Sequence, residues 1–194
     1  METALQSGEG VRALVLVEGI SDRAAVEALA RRRGRDLAAE GVAIVPIGGA
    51  QAIGRFLDRL GPRRRDLELA GLCDAAEEDD FRRALERHGL GSALTRAEME
   101  ELGFYVCDAD LEDELIRCVG ADTILRVAEQ QGDLGSFRTL QKQPAWRGRS
   151  VEEQLRRFMG SGGSRKIRYA RLLVEEAVEL ARVPRPLDGV LGHV

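Results

Sequence analysis

Carboxylates recur just after short apolar runs, and they carry the chemistry this sequence offers. Glu18 follows the run at 11–17, Asp74 the run at 67–73, and Asp108 the run at 104–107, with Asp110 and Glu112 just beyond. Asp22 lies one helical turn past Glu18, so its side chain can face the same edge. Carboxylates gathered on one edge repel one another unless cations sit between them, and hard ions such as Mg²⁺ or Mn²⁺ take all-oxygen ligands. Two such ions about 4 Å apart activate a water and stabilise the leaving oxygen in phosphodiester cleavage. Acids at strand ends also cap the next helix by accepting from its free N–H groups. For any one position capping is the simpler account; acids after three of four strands, plus Asp22, favour a metal site.

The elements that must position these acids follow from periodicity. Residues 11–17, 41–47, 67–73 and 104–107 read as strands, the third weakened by Glu68 and Gly71. Helices are expected at 22–33, with Ser21 as N-cap, at 51–60 and at 80–88. Beyond Asp110 the pattern turns helical, at 112–119, 121–131, 151–159 and 165–182. A glycine-serine loop spans 160–164, and the proline-bearing tail at 183–187 cannot continue a helix. Strands alternating with helices predict a mainly parallel α/β sheet, in which ligands bind at the carboxyl ends of the strands. Three of the four strands place an acid there, and the second ends in Gly48-Gly49, which permits close backbone approach.

At 194 residues and 44% hydrophobic, the chain suits one large globular domain and is too apolar for wholesale disorder. No apolar run approaches the roughly 20 residues of a membrane span, and residues 1–10 lack a signal-peptide core. Cys73, Cys107 and Cys118 are too few and scattered for a disulfide framework or a CxxC metal site. A cytoplasmic location is expected, with no membrane partner. The net charge of −4 hides an asymmetry: residues 1–133 hold 17 basic and 27 acidic side chains, whereas 134–194 hold 12 and 6. That split fits an acidic metal-binding body joined to a basic phosphate-contacting element, or plain drift of surface charge. The expected organisation is a flexible terminus at 1–10, a core at 11–133, and a basic helical extension at 134–194 completing the same domain.

Leu16-Val17-Glu18-Gly19-Ile20-Ser21-Asp22 resembles the opening motif of the TOPRIM domain. The series continues with Pro46-Ile47-Gly48-Gly49, Leu72-Cys73-Asp74, Asp110-Leu111-Glu112-Asp113-Glu114-Leu115 and Arg165-Lys166. In this order and over roughly residues 11–187, it looks like the TOPRIM half of an OLD-family (overcoming lysogenisation defect) endonuclease. The resemblance implies a Rossmann-like TOPRIM fold with a four-stranded sheet, flanking helices and a helical C-terminal extension. It also implies Glu18, Asp22 and Asp74 as metal ligands, Glu112 as a second-metal ligand, and Lys166 beside the scissile phosphate. Glu18 and Lys166 are then the catalytic pair, and Mg²⁺ or Mn²⁺, as two ions, the cofactor. One departure is the third-strand signature: Asp-x-Asp is replaced by Asp74-Ala75-Ala76-Glu77, so Glu77 is the candidate substitute. A literal Asp-x-Asp at Asp108–Asp110 is read as additional, with Asp110 a further candidate ligand. The other departure is the missing GxxxxGK[ST] sequence; no ATP site is expected here, and a separate ATPase subunit is a candidate partner.

Only Lys142 and Lys166 are lysine among 29 basic residues, so a lysine kept at 166 suggests a need for a compact ammonium; chance is the rival account. Arg147, Arg149, Arg165 and Arg168 are the candidate nucleic-acid contacts in the basic third. Trp146, among them, either stacks on a base or packs as a partly buried residue. The leading expectation is a metal-dependent endonuclease or nickase acting on DNA. The alternatives are a non-catalytic nucleic-acid-binding or regulatory TOPRIM module, and a phosphohydrolase or phosphotransferase with a small phosphorylated substrate.

Overall fold

The computed structural model describes residues 10–49 and 51–194; the rest of the terminal segment expected to be flexible, residues 1–9, lies outside the described residues. Four strands form one all-parallel sheet: β1 (Ala13–Val17), β2 (Val42–Pro46), β3 (Glu68–Asp74) and β4 (Phe104–Cys107). Their order is β2-β1-β3-β4. Along β1 every residue is buried, the mark of a central parallel strand covered on both faces. Gly71 does not weaken β3 as expected: a Cβ there would stand 2.6 Å from the Phe104 ring, so glycine lets the aromatic lie on the sheet.

Helix α1 (Ile20–Arg32) crosses one face of the sheet between β1 and β2, and α2 (Ala52–Leu60) crosses the other between β2 and β3. The second face is completed by α3 (Glu78–Arg87) and by α4 (Arg96–Glu101), a short helix that was not among those expected. Ser21 is not the cap of α1; the helix begins at Ile20 with Gly19 in the cap position.

The remaining helices are α5 (Leu111–Val119), α6 (Ala121–Gln130), α7 (Leu134–Lys142), α8 (Val151–Gly160), α9 (Gly163–Glu179) and α10 (Arg185–His193). Of these α7 and α10 were not anticipated. The tail indeed continues no helix, but Pro186 opens a new one, since a missing N–H costs nothing in the first turn. The expected glycine-serine loop shrinks to Ser161 and Gly162. Helices α9 and α10 pack on α1, and Leu173, Val174, Leu187 and Val190 join Val15, Val17 and Leu29 in one core. Among the described residues, no helix is long and apolar enough to cross a membrane.

Reversal of winding after β2 puts a switch point between β1 and β3. There the connecting chains leave in opposite directions and open a crevice at the strands' carboxyl ends. Glu18 and Asp74 stand on its two sides.

Candidate metal centre

Strand register sets the first two acids. Val17 pairs with Leu72, so Glu18 stands at the level of Cys73, with Asp74 one residue further along the adjacent strand. The Asp74 N–H donates to the Glu18 carboxylate at 2.8 Å and ties the strand ends together. Gly48 and Gly49, both at positive φ, donate their N–H groups to the Glu18 carbonyl at 3.1 and 3.2 Å. Glu18 is thereby held from both sides, by its carboxylate from β3 and by its carbonyl from the chain that leaves β2.

Beyond β3 a 3₁₀ turn at Ala75–Glu77 redirects the chain. It turns Ala76 outward to solvent and brings Glu77 inward. One carboxylate oxygen each from Glu18, Asp74 and Glu77 lie within 4.8 Å of one another. Position 77, rather than the outward-facing position 76, thus brings the third carboxylate to this cluster. Oε2 of Glu77 is buried and has no hydrogen-bond partner.

Crowding is legible in the acidities. Burial, then the charges of Glu77 and Asp22, outweigh the Asp74 N–H bond and lift Glu18 to about 7. Burial, followed by the charges of Glu18, Asp22 and Asp110, lifts Asp74 to about 8. Both are conditions that a cation among the acids would relieve.

The other candidate ligands are engaged differently. Asp22 accepts the Gly19 N–H at 2.8 Å, and burial raises its pKa despite that bond and the nearby Lys166 charge. Asp110 caps α5 by accepting the Asp113 N–H at 2.8 Å and pairs with Arg156 at 2.5 Å. The capping role weighed for strand-end acids thus holds for Asp110. Glu112 is 8% exposed, and its ion pair with Lys166 is 3.3 Å long. Burial raises the Glu112 pKa against the Lys166 charge. Burial also opposes the Lys166 ammonium, yet Glu112, Asp22 and Asp74 together raise its pKa, so it stays charged while facing the acids. Asp108 stands apart, paired with Arg96 at 3.1 Å and Arg117 at 3.6 Å.

Sequence reasoning passed over Glu114. It is 6% exposed, accepts the Asp108 N–H at 2.9 Å and pairs with Arg117 at 2.7 Å, fixing the link from β4 to α5. Its signal was its place between Leu111 at i−3 and Leu115 and Cys118 at i+1 and i+4, on the apolar side of the helix. Of the candidate nucleic-acid contacts, Arg147 and Arg149 are exposed. Arg165 and Arg168 instead turn to Asp133: Arg168 pairs with it directly, and Arg165 approaches to 3.9 Å while stacking on Phe158.

Over 95% of its length the chain superposes on 92% of the C-terminal region of the Xanthomonas campestris pv. campestris OLD protein, with a TM-score of 0.70 at 23% identity. Against the C-terminal region of the Burkholderia pseudomallei OLD protein the TM-score is 0.68 at 19% identity, covering 94% of this chain and 96% of that one. The parallel sheet and the helices around it are the fold of those regions, a TOPRIM-type α/β domain. Residues 11–74 match the family model described as "Overcoming lysogenization defect protein-like, TOPRIM domain". No curated protein sequence matches it.

Proposed function

We propose that this protein is a Mg²⁺- or Mn²⁺-dependent nuclease that hydrolyses DNA phosphodiester bonds at the Glu18 edge. The observation that carries the reading is the convergence of Glu18, Asp74 and Glu77 within 4.8 Å at the switch point of an OLD-like TOPRIM fold. Their all-oxygen donor set fits a hard divalent ion, and the unpartnered Oε2 of Glu77 is a ready ligand atom. A divalent ion held by Glu18, Asp74 and Glu77, with Asp22 beside them, supplies Lewis acidity and a more acidic water. Lys166 keeps a fixed positive charge at the same rim, placed to offset charge that gathers on phosphate oxygens in the transition state. Glu112 orients that ammonium, and Gly48-Gly49 hold the Glu18 backbone in place.

These 194 residues hold no GxxxxGK[ST] sequence, and a separate ATPase is proposed as a protein partner. Incubation with supercoiled plasmid and either ion tests the proposal. Nicked circles are expected with wild type and not with Glu18→Gln. With single-stranded circles run alongside, both DNAs left intact under both ions, or equal cleavage by the variant, overturns the reading.

A further inference from the structure

Trp146 is the one tryptophan of the chain. Among the described residues, it belongs to neither hydrophobic core. Rings of this size are ordinarily sunk into a core or an interface, since their burial removes so much apolar area from water. Here the residue is half-buried in the turn between α7 and α8. Its carbonyl accepts from Gln154 at 2.8 Å, which anchors the turn independently of the ring. The Arg157 guanidinium carbon lies 6.0 Å from the ring centroid.

The ring walls a groove of about 380 Å³ shared with Arg156, Arg157, Asp110, Glu112 and Lys166. That volume falls within the range of sites for small ligands. The Glu112–Lys166 pair is part of the same lining, and its ammonium also feels the charges of Asp22 and Asp74. The groove therefore brings together an aromatic surface, two arginines and the ammonium that interacts with the acidic edge. A flat aromatic group carrying phosphate matches that set of surfaces: the ring accepts a base face, and Arg157 and Lys166 accept negative charge.

We propose that this groove is a base-stacking subsite, in which an unpaired nucleotide beside the bond to be cut lays its base on Trp146. The inference rests on the nuclease reading and narrows its substrate to DNA with an unpaired base at that position, as in a single strand, a flap or a frayed end. Within a duplex, base faces are covered by their neighbours and offer the ring nothing to stack on until a base is turned out.

Because Trp146 is the sole tryptophan, its fluorescence reports this groove alone. The Glu18→Gln protein is titrated, with Mg²⁺ present, with an oligothymidylate and with an abasic oligonucleotide of the same backbone. The oligothymidylate should quench the emission, and the abasic strand should bind about tenfold or more weaker without quenching. In the cleaving protein, Trp146→Ala should raise KM for single-stranded DNA by a similar factor, and Trp146→Phe should recover most of it. Equal affinity for both strands with unchanged emission, alongside normal plasmid nicking, overturns the subsite and leaves the nuclease reading standing. Quenching by oligothymidylate alone, with neither plasmid nor single-stranded DNA cut by wild type, upholds the subsite and removes the nuclease reading.

Discussion

Glu18 and Asp74 retain protons at a pH where solvent-exposed carboxylates have lost them, with pKa values of about 7 and 8. A folded-state pKa above the unfolded value means that the native chain binds more protons between pH 4 and 8. The associated stability is complete below the unfolded pKa and is lost as pH rises through 7 and 8. Melting curves without divalent ions should show a cluster-specific loss between pH 5 and pH 9. After allowance for screening at this half-open edge, it is on the order of 1 kcal/mol, or about 2–4 °C in Tm. Asp74→Asn should remove most of that dependence, and Mg²⁺ at pH 8 should raise the wild-type Tm more than that of the variant. An identical pH response in both proteins would remove the repulsion from the account. The positions of Glu18 and Asp74 could be read from sequence because each directly follows an apolar run. Glu77 could only be nominated: the 3₁₀ turn that hides Ala76 from the edge and presents Glu77 has no signature in spacing.

Most elements with several inward residues were legible; α10, which buries Pro186, Leu187, Val190 and Leu191, was not, because the prolines at 184 and 186 read only as a stop. All four strands appear within two residues of their expected limits because each carries a run of core side chains. Helix α7 buries Phe137 alone, too little to create a periodic stripe. Helix α4 did carry a start signal, the capping box formed by Thr95 and Glu98, but its six residues bury only Met99. The turn before α7 shows how later elements are fastened. Asp133 receives Arg168, the Tyr169 hydroxyl at 3.1 Å and the approach of Arg165, so one carboxylate joins the α6–α7 turn to α9. Asp133→Ala strands three polar groups, and we expect a loss of roughly 2 kcal/mol, a fall of about 4–8 °C in Tm. Thermal denaturation checks this; a Tm within 1 °C of wild type would show the cluster to be ornamental. In the same experiment Arg168→Ala should lower Tm, because its partner is this carboxylate rather than solvent.

For the molecule as a whole, a total charge of −4 describes no surface that a ligand would meet. Acids of the first two thirds converge at the switch point, while cations from the last third stand around them as Arg156 on Asp110 and Lys166 on Glu112. DNA binding through this arrangement should depend steeply on salt. Four phosphates neutralised by Arg147, Arg149, Arg157 and Lys166 imply an affinity loss of roughly 50- to 150-fold between 50 and 200 mM salt. Fluorescence anisotropy of labelled oligonucleotides measures that slope, and a flat response would exclude phosphate contacts as the source of binding. The long reach from Glu18 to Lys166 also bears on synthesis. A growing chain exposes its β1 and β3 acids early, when the helix that brings Lys166 has yet to be made. The proposed chemistry is therefore silent on the ribosome, and every product that stops short of α9 carries the acids without their ammonium.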